Sequence, residues 1–401
     1  MQFTPSNGRW PSPFNEVANL PRLDGRVIRV ADCTLRDGEQ QAGIVLDRAA
    51  KVEIAKALEA IGVYEIEAGT IASSEEDREA IAAICALGLS AKISVLCRGL
   101  EADIDMAAEI GVWGVRLSFP ISDIEREYKL KGISQEDYLA RTRALVEYAN
   151  AKGLAVVFSP FDTTRANLPF LRRVAAGLGQ LDGVDRLRIV DTTGCALPEA
   201  IAFIVENVKE AAPGLAMEIH CHNDFGLSCA NTLAGVMAGA DYVSTTINGI
   251  GERCGNASTE EVVMALEVLC GYDTGIKLDG LKSISELVER HSGIAVHANK
   301  AVVGYNAFRH EAGMVVAGVL KNPYTAEAYD PAIVGQSRDI LLGKKSGLVS
   351  VKYKAAQLGI SVTDQQMAVV LHQVKEEAVR LRRALNDEEF AKLARAAAER
   401  R

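Results

Sequence analysis

From residue 26 to about residue 272, short β-branched and aliphatic runs alternate with longer stretches in which apolar side chains recur every three or four positions. The short runs predict eight strands: Arg26–Asp32, Val63–Glu67, Ile93–Cys97, Val115–Phe119, Ala155–Ser159, Leu187–Asp191, Met217–His222 and Tyr242–Ile247. The stretches between them, such as RAAKVEIAKALEAIG and TLAGVMAGA, predict helices that stop at or near a glycine, as helix C-termini prefer. Eight strand–helix units in about 250 residues predict an α/β fold, a (β/α)8 TIM barrel. A doubly wound open sheet would instead want a glycine-rich turn after its first strand. The turn here is DCTLRDGEQ, rich in charge.

The rhythm stops after residue 272. Residues 278–360 mix short helices with Gly and Pro, and 363–401 return to helical period with an Ala/Arg/Glu-rich end. The expected organisation is an N-terminal arm over 1–25, a barrel over 26–275, a linker or crossover subdomain over 276–360 and a helical segment over 361–401. The barrel thus carries a mostly helical C-terminal extension.

Composition narrows the function classes. Hydrophobic residues make up 48% and charged residues 24%, enough for a large core. There are 44 basic and 53 acidic residues, a net charge of −9, which argues against nucleic acid or an anionic membrane as the main partner. The N-terminal MQFTPSNGRWPSPFNEV has no apolar core of the signal-peptide kind, and no apolar run is long enough to span a bilayer. Eight cysteines without a CxxC pair read as reduced thiols of a cytoplasmic protein.

In such a barrel the reactive groups sit at the C-terminal ends of the strands. Those ends offer Asp32, Arg36 and Asp37, then Glu67, then Asp191–Thr192, then His220, His222, Asn223 and Asp224, and finally Asn248, Glu252, Arg253 and Asn256. His220 and His222 carry the sharpest signal. Residues i and i+2 of a strand face the same way, so two imidazoles can converge on one cation with an Asp as third ligand. Two core histidines bonded to backbone are the alternative. Arg36–Asp37 is either a rim ion pair of little worth, or a division of labour in which Asp37 holds a metal and Arg36 stabilises charge on a substrate oxygen.

The stretches DCTLRDGEQQAG, IEAGT, DTTG, HCHNDFGLSCANTLAGVMAGA and NGIGERCGNA resemble the DRE-TIM metallolyase superfamily, specifically its Claisen-condensing branch of homocitrate, isopropylmalate and citramalate synthases. The likeness is greatest to homocitrate synthases of the nitrogen-fixation type, and continues through HEAGMVVAGVLKNP and DPAIVGQ to LGKKSG. The resemblance implies a divalent metal ion (Mg2+, Mn2+, Zn2+ or Co2+) on Asp37, His220 and His222, with Asn256 nearby or ligating. It implies a 2-oxo acid bound through that metal, with an acyl-CoA as the second substrate. Arg36, Glu67 and His310 are the implied catalytic groups, and Gln40, Ser159 and Thr192 the substrate-binding ones. A homodimer with a crossover of the C-terminal segment is implied as well.

The chain departs from that pattern where a proton should move. The crossover motif usually ends in a His, and Val315 stands there; a Tyr normally follows eleven residues on, and Ala326 stands there. Neither can carry a proton. Phe161 stands where relatives often have Glu, Ile71 where they often have Pro, and Lys345 where they have His, which points to a substrate less polar than 2-oxoglutarate or differently shaped. Three explanations follow. Another group, His310, His297, Tyr324 or Tyr329, serves as base in a condensation; or the protein is a carbon–carbon lyase using Cys254; or it is a 2-oxo-acid-binding homologue with altered catalysis.

Overall fold

The computed structural model describes residues 7–17 and 26–399. Eight parallel strands close into a barrel: β1 (Arg29–Asp32), β2 (Glu65–Thr70), β3 (Lys92–Cys97), β4 (Gly114–Ser118), β5 (Ala155–Ser159), β6 (Val184–Asp191), β7 (Met217–Cys221) and β8 (Tyr242–Thr245). β8 closes on β1 with Arg29 opposite Tyr242 and Asp32 opposite Thr245. The helices between strands are amphipathic and capped. In Arg48–Ile61, Ala50, Ile54, Leu58 and Ile61 are buried at helical spacing. Asp47 accepts the Ala50 N–H at its start, and Gly62 at φ 89° ends it. Ser74, Ser134 and Asn167 cap three of the other outer helices in the same way.

Most strands differ from expectation at one or both ends, and four of those ends matter to the site or to the closure of the barrel. Residues 26–28 do not belong to β1, because Val27 bridges to Asp273 and the Ile28 N–H donates to the Asp273 carbonyl. β2 runs on to Thr70, which puts Glu67 inside the strand. β7 ends at Cys221, and His222 makes an antiparallel bridge with Asn256. β8 stops at Thr245, where Thr246 pairs with Ser258 instead.

The chain divides into two compact units, 14–296 and 297–401 with 1–13. The division therefore falls after residue 296 and not after 275. Helix Leu281–Ser292 packs its buried Leu281, Ile284 and Val288 in the barrel unit, and its Asn248-facing Ser285 accepts from Asn248 Nδ2 at 2.9 Å through its carbonyl. The expected arm is divided too. Residues 7–13 belong with the C-terminal unit, where Arg9 bridges to Tyr329 and the Trp10 N–H donates to the Ala328 carbonyl at 2.7 Å. Residues 1–6 and 18–25 of that arm lie outside the described residues.

The second unit is mostly helical. Its strands are the short parallel pair β9 (Arg309–His310) and β10 (Asp339–Ile340). Helices Leu348–Gln357, Asp364–Leu381 and Asp387–Ala398 share one apolar core built from Val351, Val370, Val374 and Phe390. The segments expected as 276–360 and 361–401 are thus not separate, since both contribute to that core. Among the described residues no helix is long and apolar enough to cross a membrane.

Candidate active site

The turn after β1 builds the first wall. Cys33 carbonyl oxygen accepts from the backbone N–H groups of Arg36, Asp37 and Gly38, a tight knot that ends the strand. Asp32 holds the knot from within: its carboxylate accepts from the Thr34 N–H and hydroxyl at 2.8 and 3.0 Å. Burial pushes that carboxyl up to about 7 against these hydrogen bonds. Gly38 lies so close to Ile250 that an added Cβ would come within 2.9 Å of its Cδ1.

The opposite wall comes from β7, β8 and the loop NGIGERCGNA. The loop folds back so that the Asn256 N–H donates to Gly249 and the Asn223 N–H to Gly255. Gly255 has φ +85°, and a Cβ there would sit 1.9 Å from the Gly249 oxygen, so only glycine permits the fold. Arg253 ties three loops: its Nε and Nη2 donate to Asp224 at 2.9 and 3.0 Å, and Nη2 also donates to the Thr192 carbonyl at 2.7 Å.

Asp37, His220 and His222 meet between these walls, all buried. His220 Nε2 stands 3.0 Å and His222 Nε2 3.7 Å from Asp37 Oδ2, with ring centroids 5.1 Å apart. Both Asp37 oxygens are buried without a hydrogen-bond partner, as is Asn256 Oδ1. Unsatisfied buried acceptors cost about 1–3 kcal/mol each, and a cation among them removes that cost. The carboxylate and the two imidazoles therefore fit a divalent ion. Burial pushes His220 down to about 4 and also lowers His222, so both are neutral at pH 7, the form that ligates. For Asp37 burial acts upward, but the Arg36 charge and the imidazoles outweigh it and hold the carboxyl well below its usual range. The ligand atoms that all lie within 4.8 Å of one another are those of Cys33, Asp37 and His220, and His222 joins this group through Asp37 alone. Cys33 is a thiol that burial keeps protonated, donating to the Thr245 carbonyl at 3.3 Å.

Arg36 adjoins the cluster with Nη1 3.3 Å from Asp37 Oδ2. Its Nε and Nη2 fork onto Glu67 at 2.6 and 3.2 Å, and Nη1 donates to Gln40 Oε1 at 3.0 Å. A cleft of about 410 Å³ opens beside Arg36, lined also by Gln40, Thr70, Ser73 and Arg98. Glu67 is fully buried, and Arg188 Nη2 donates to its second oxygen at 2.9 Å. Burial acts upward on Glu67, but Arg36, Arg188 and Arg116 bring it down to about 2. It is a fixed anion that orients Arg36, and it lies within β2 rather than at its end.

Thr192 and Ser159 sit on neighbouring strand ends. The Thr192 hydroxyl accepts the Asp162 N–H at 2.7 Å, and Ser159 is buried at the end of β5. His310 belongs to the other unit. There its Nε2 lies 2.9 Å from Glu327 Oε1, and Arg338 forks onto the same carboxylate. Val315 is partly exposed on helix Gly313–Val319, beside Met314, which is 89% exposed.

Sequence reasoning missed what lies beneath the site. Glu65, Glu218, Arg116, Arg186 and Arg188 fill the barrel interior as a fully buried ion lattice that includes Glu67. The signal was present in the alternation: EIE in β2 and RLR in β6 place charges two apart, on one face of otherwise apolar strands.

The HMGL-like family matches residues 27–288, about two thirds of the chain. The chain belongs to the HMGL-like family. Residues 302–381 match the segment described as homocitrate synthase post-HMGL domain-like. A homocitrate synthase of Methanothermobacter thermautotrophicus is 39% identical over 95% of this chain and 96% of its own length. A citramalate synthase of Methanocaldococcus jannaschii is 44% identical over 87% of this chain and 71% of its own. A 2-isopropylmalate synthase of Sulfolobus acidocaldarius is 42% identical over 89% and 92%. The HMG-CoA lyase of Brucella melitensis shares the fold, with a TM-score of 0.60 and 20% identity over 67% of this chain and all of its own. High identity thus falls on synthases, and the HMGL-like chain is an acyltransferase-type enzyme of the condensing branch, with the lyase alternative set aside.

Proposed function

We propose that this enzyme joins an acetyl-CoA-like thioester to the keto carbon of a 2-oxo acid, using a divalent ion held by Asp37, His220 and His222 with Asn256 completing the set. The observation that carries this is the approach of His220 and His222 to an Asp37 carboxylate whose buried oxygens lack a hydrogen-bond partner, with a pinned guanidinium at its edge. Bound there, a divalent ion supplies Lewis acidity to a chelated keto group. Arg36, fixed by Glu67 and Gln40, retains a further N–H for the oxygen on which negative charge develops. Thr192 and Ser159 line the carboxylate end. Phe161, standing where relatives often have Glu, favours an acceptor less polar than 2-oxoglutarate or differently shaped.

Among the candidate bases, His310 has the best chemistry. Glu327 orients its ring. Tyr329 is pushed by burial up to about 12, so near neutrality it keeps its own proton and cannot act as the base. His310 would take the α-proton of the thioester, the enolate carbon would bond to the keto carbon, the proton held by His310 would return to the resulting alkoxide, and water would then cleave the thioester C–S bond to leave a carboxylate and CoA thiol. We place the protein in the cytoplasm as a homodimer with a crossover of its C-terminal segment, in line with its cysteine content and with the proposed carry-over from its relatives.

Thiol release tests this. Metal-replete protein incubated with acetyl-CoA and a panel of 2-oxo acids should release CoA thiol with at least one acid, and a chelator should stop it. Cleavage of a 3-hydroxy-3-carboxyl compound without thiol release would overturn the proposal. A second test concerns the two departures. Val315→His with Ala326→Tyr should raise condensation of acetyl-CoA by about 10²-fold, the lower end of what a positioned base contributes. An unchanged rate would mean that the acceptor pocket, and not proton removal, limits the reaction.

A further inference from the structure

Beneath the site one guanidinium reaches toward both functional arms. Arg188 is 2% exposed, and its Nε donates to Glu218. Its Nη2 donates to Glu67 Oε2 at 2.9 Å and to Ser244 Oγ at 3.2 Å. Glu67 is the carboxylate onto which Arg36 forks. Ser244 Oγ lies 3.0 Å from His220 Nδ1 and donates toward Cys33 Sγ at 3.4 Å. Both branches thus start from the same nitrogen and end on the two groups the chemistry needs, the oxyanion clamp and a ligand imidazole.

The proton inventory is consistent along the second branch. Arg188 can only donate, so it occupies one lone pair of Ser244 Oγ. Cys33 gives its own proton to the Thr245 carbonyl, which leaves its sulfur to accept the Ser244 hydroxyl. The remaining lone pair of Ser244 then accepts from His220 Nδ1–H. That tautomer leaves the Nε2 lone pair facing Asp37, as a ligand requires. The same assignment keeps Cys33 a thiol that supports Ser244 and not a ligand itself.

We propose that Arg188 is a positioning residue that sets the Arg36 clamp through Glu67 and the His220 ligand through Ser244. This rests on the ion site proposed above, and the test separates the two. Mn2+ alone is titrated into each protein, with free ion counted by electron paramagnetic resonance, and kcat and KM are measured in parallel. Ser244→Ala should weaken Mn2+ binding about 10-fold, as loss of an outer hydrogen bond to a ligand does. Ser244→Asn, which still offers an acceptor, should restore most of it. Glu67→Gln should leave Mn2+ affinity unchanged and lower kcat with KM for the thioester unaltered. Arg188→Lys keeps the charge but loses the fork, and should show both deficits. Combining it with Ser244→Ala should weaken Mn2+ binding no further than the stronger single change, because the two act on one arm. A purely structural lattice predicts the opposite: lower melting temperatures with Mn2+ affinity and the kcat-to-KM pattern unmoved. That result would overturn the proposal while leaving the ion site standing. If wild type itself binds no Mn2+, the ion site fails.

Discussion

His220→Ala leaves no measurable turnover and lowers the content of divalent ion. The imidazole supplies one of three ligand side chains, and of the two histidines Ala leaves only His222, whose Nε2 is the more distant from Asp37 at 3.7 Å. Cys33, the other ligand type beside Asp37, already donates to the Thr245 carbonyl and accepts from Ser244, so it is not free to take the place of the imidazole. Metal analysis of the purified variant, alongside wild type, reads the loss directly. Full retention of both ion and activity would remove His220 from the site.

Arg36→Ala separates binding from chemistry. It should spare ion binding, since Arg36 contributes no ligand and a cation 3.3 Å from Asp37 repels a second one. Turnover should fall by about 10²-fold or more, the usual cost of losing an oxyanion donor. The change also strips Glu67 of its fork, although Arg188 and Arg116 remain beside that carboxylate. A circular-dichroism melt should therefore show a folded protein before the rates are compared. Equal turnover in a folded Arg36→Ala enzyme would assign the charge stabilisation elsewhere.

The barrel was legible because its strands are buried on both faces, so each reads as a compact β-branched run between helices of unmistakable period. Strand ends were less so. Where β1 begins and β7 stops depends on partners distant in sequence, Asp273 for Val27 and Asn256 for His222, and a local pattern cannot see them. The unit boundary was missed for a similar reason. Helix Leu281–Ser292 has the same amphipathic character as the barrel helices, and only its packing shows where it belongs.

The site divided in the same way. The HxH pair and the Arg-Asp pair are visible in the sequence because charged and imidazole side chains there interrupt otherwise apolar strand ends. Ser244, Cys33 and Arg188 do not. A serine and a cysteine in β-rich segments carry no signal of their own, and a binary pattern treats an arginine in a strand as a mark of the surface. Here Arg116, Arg186 and Arg188 are among the most deeply buried large side chains. They are held inside because Glu65, Glu67 and Glu218 supply matching charge. The pairing of His310 with Glu327, seventeen positions away, appears only in the fold.

The decisive measurement is an anomalous diffraction map from crystals soaked in Mn2+. A single strong peak should lie where Asp37, His220 Nε2 and His222 Nε2 all reach it. A peak elsewhere, or none while those three side chains turn away from one another, would contradict the shared-ion chemistry.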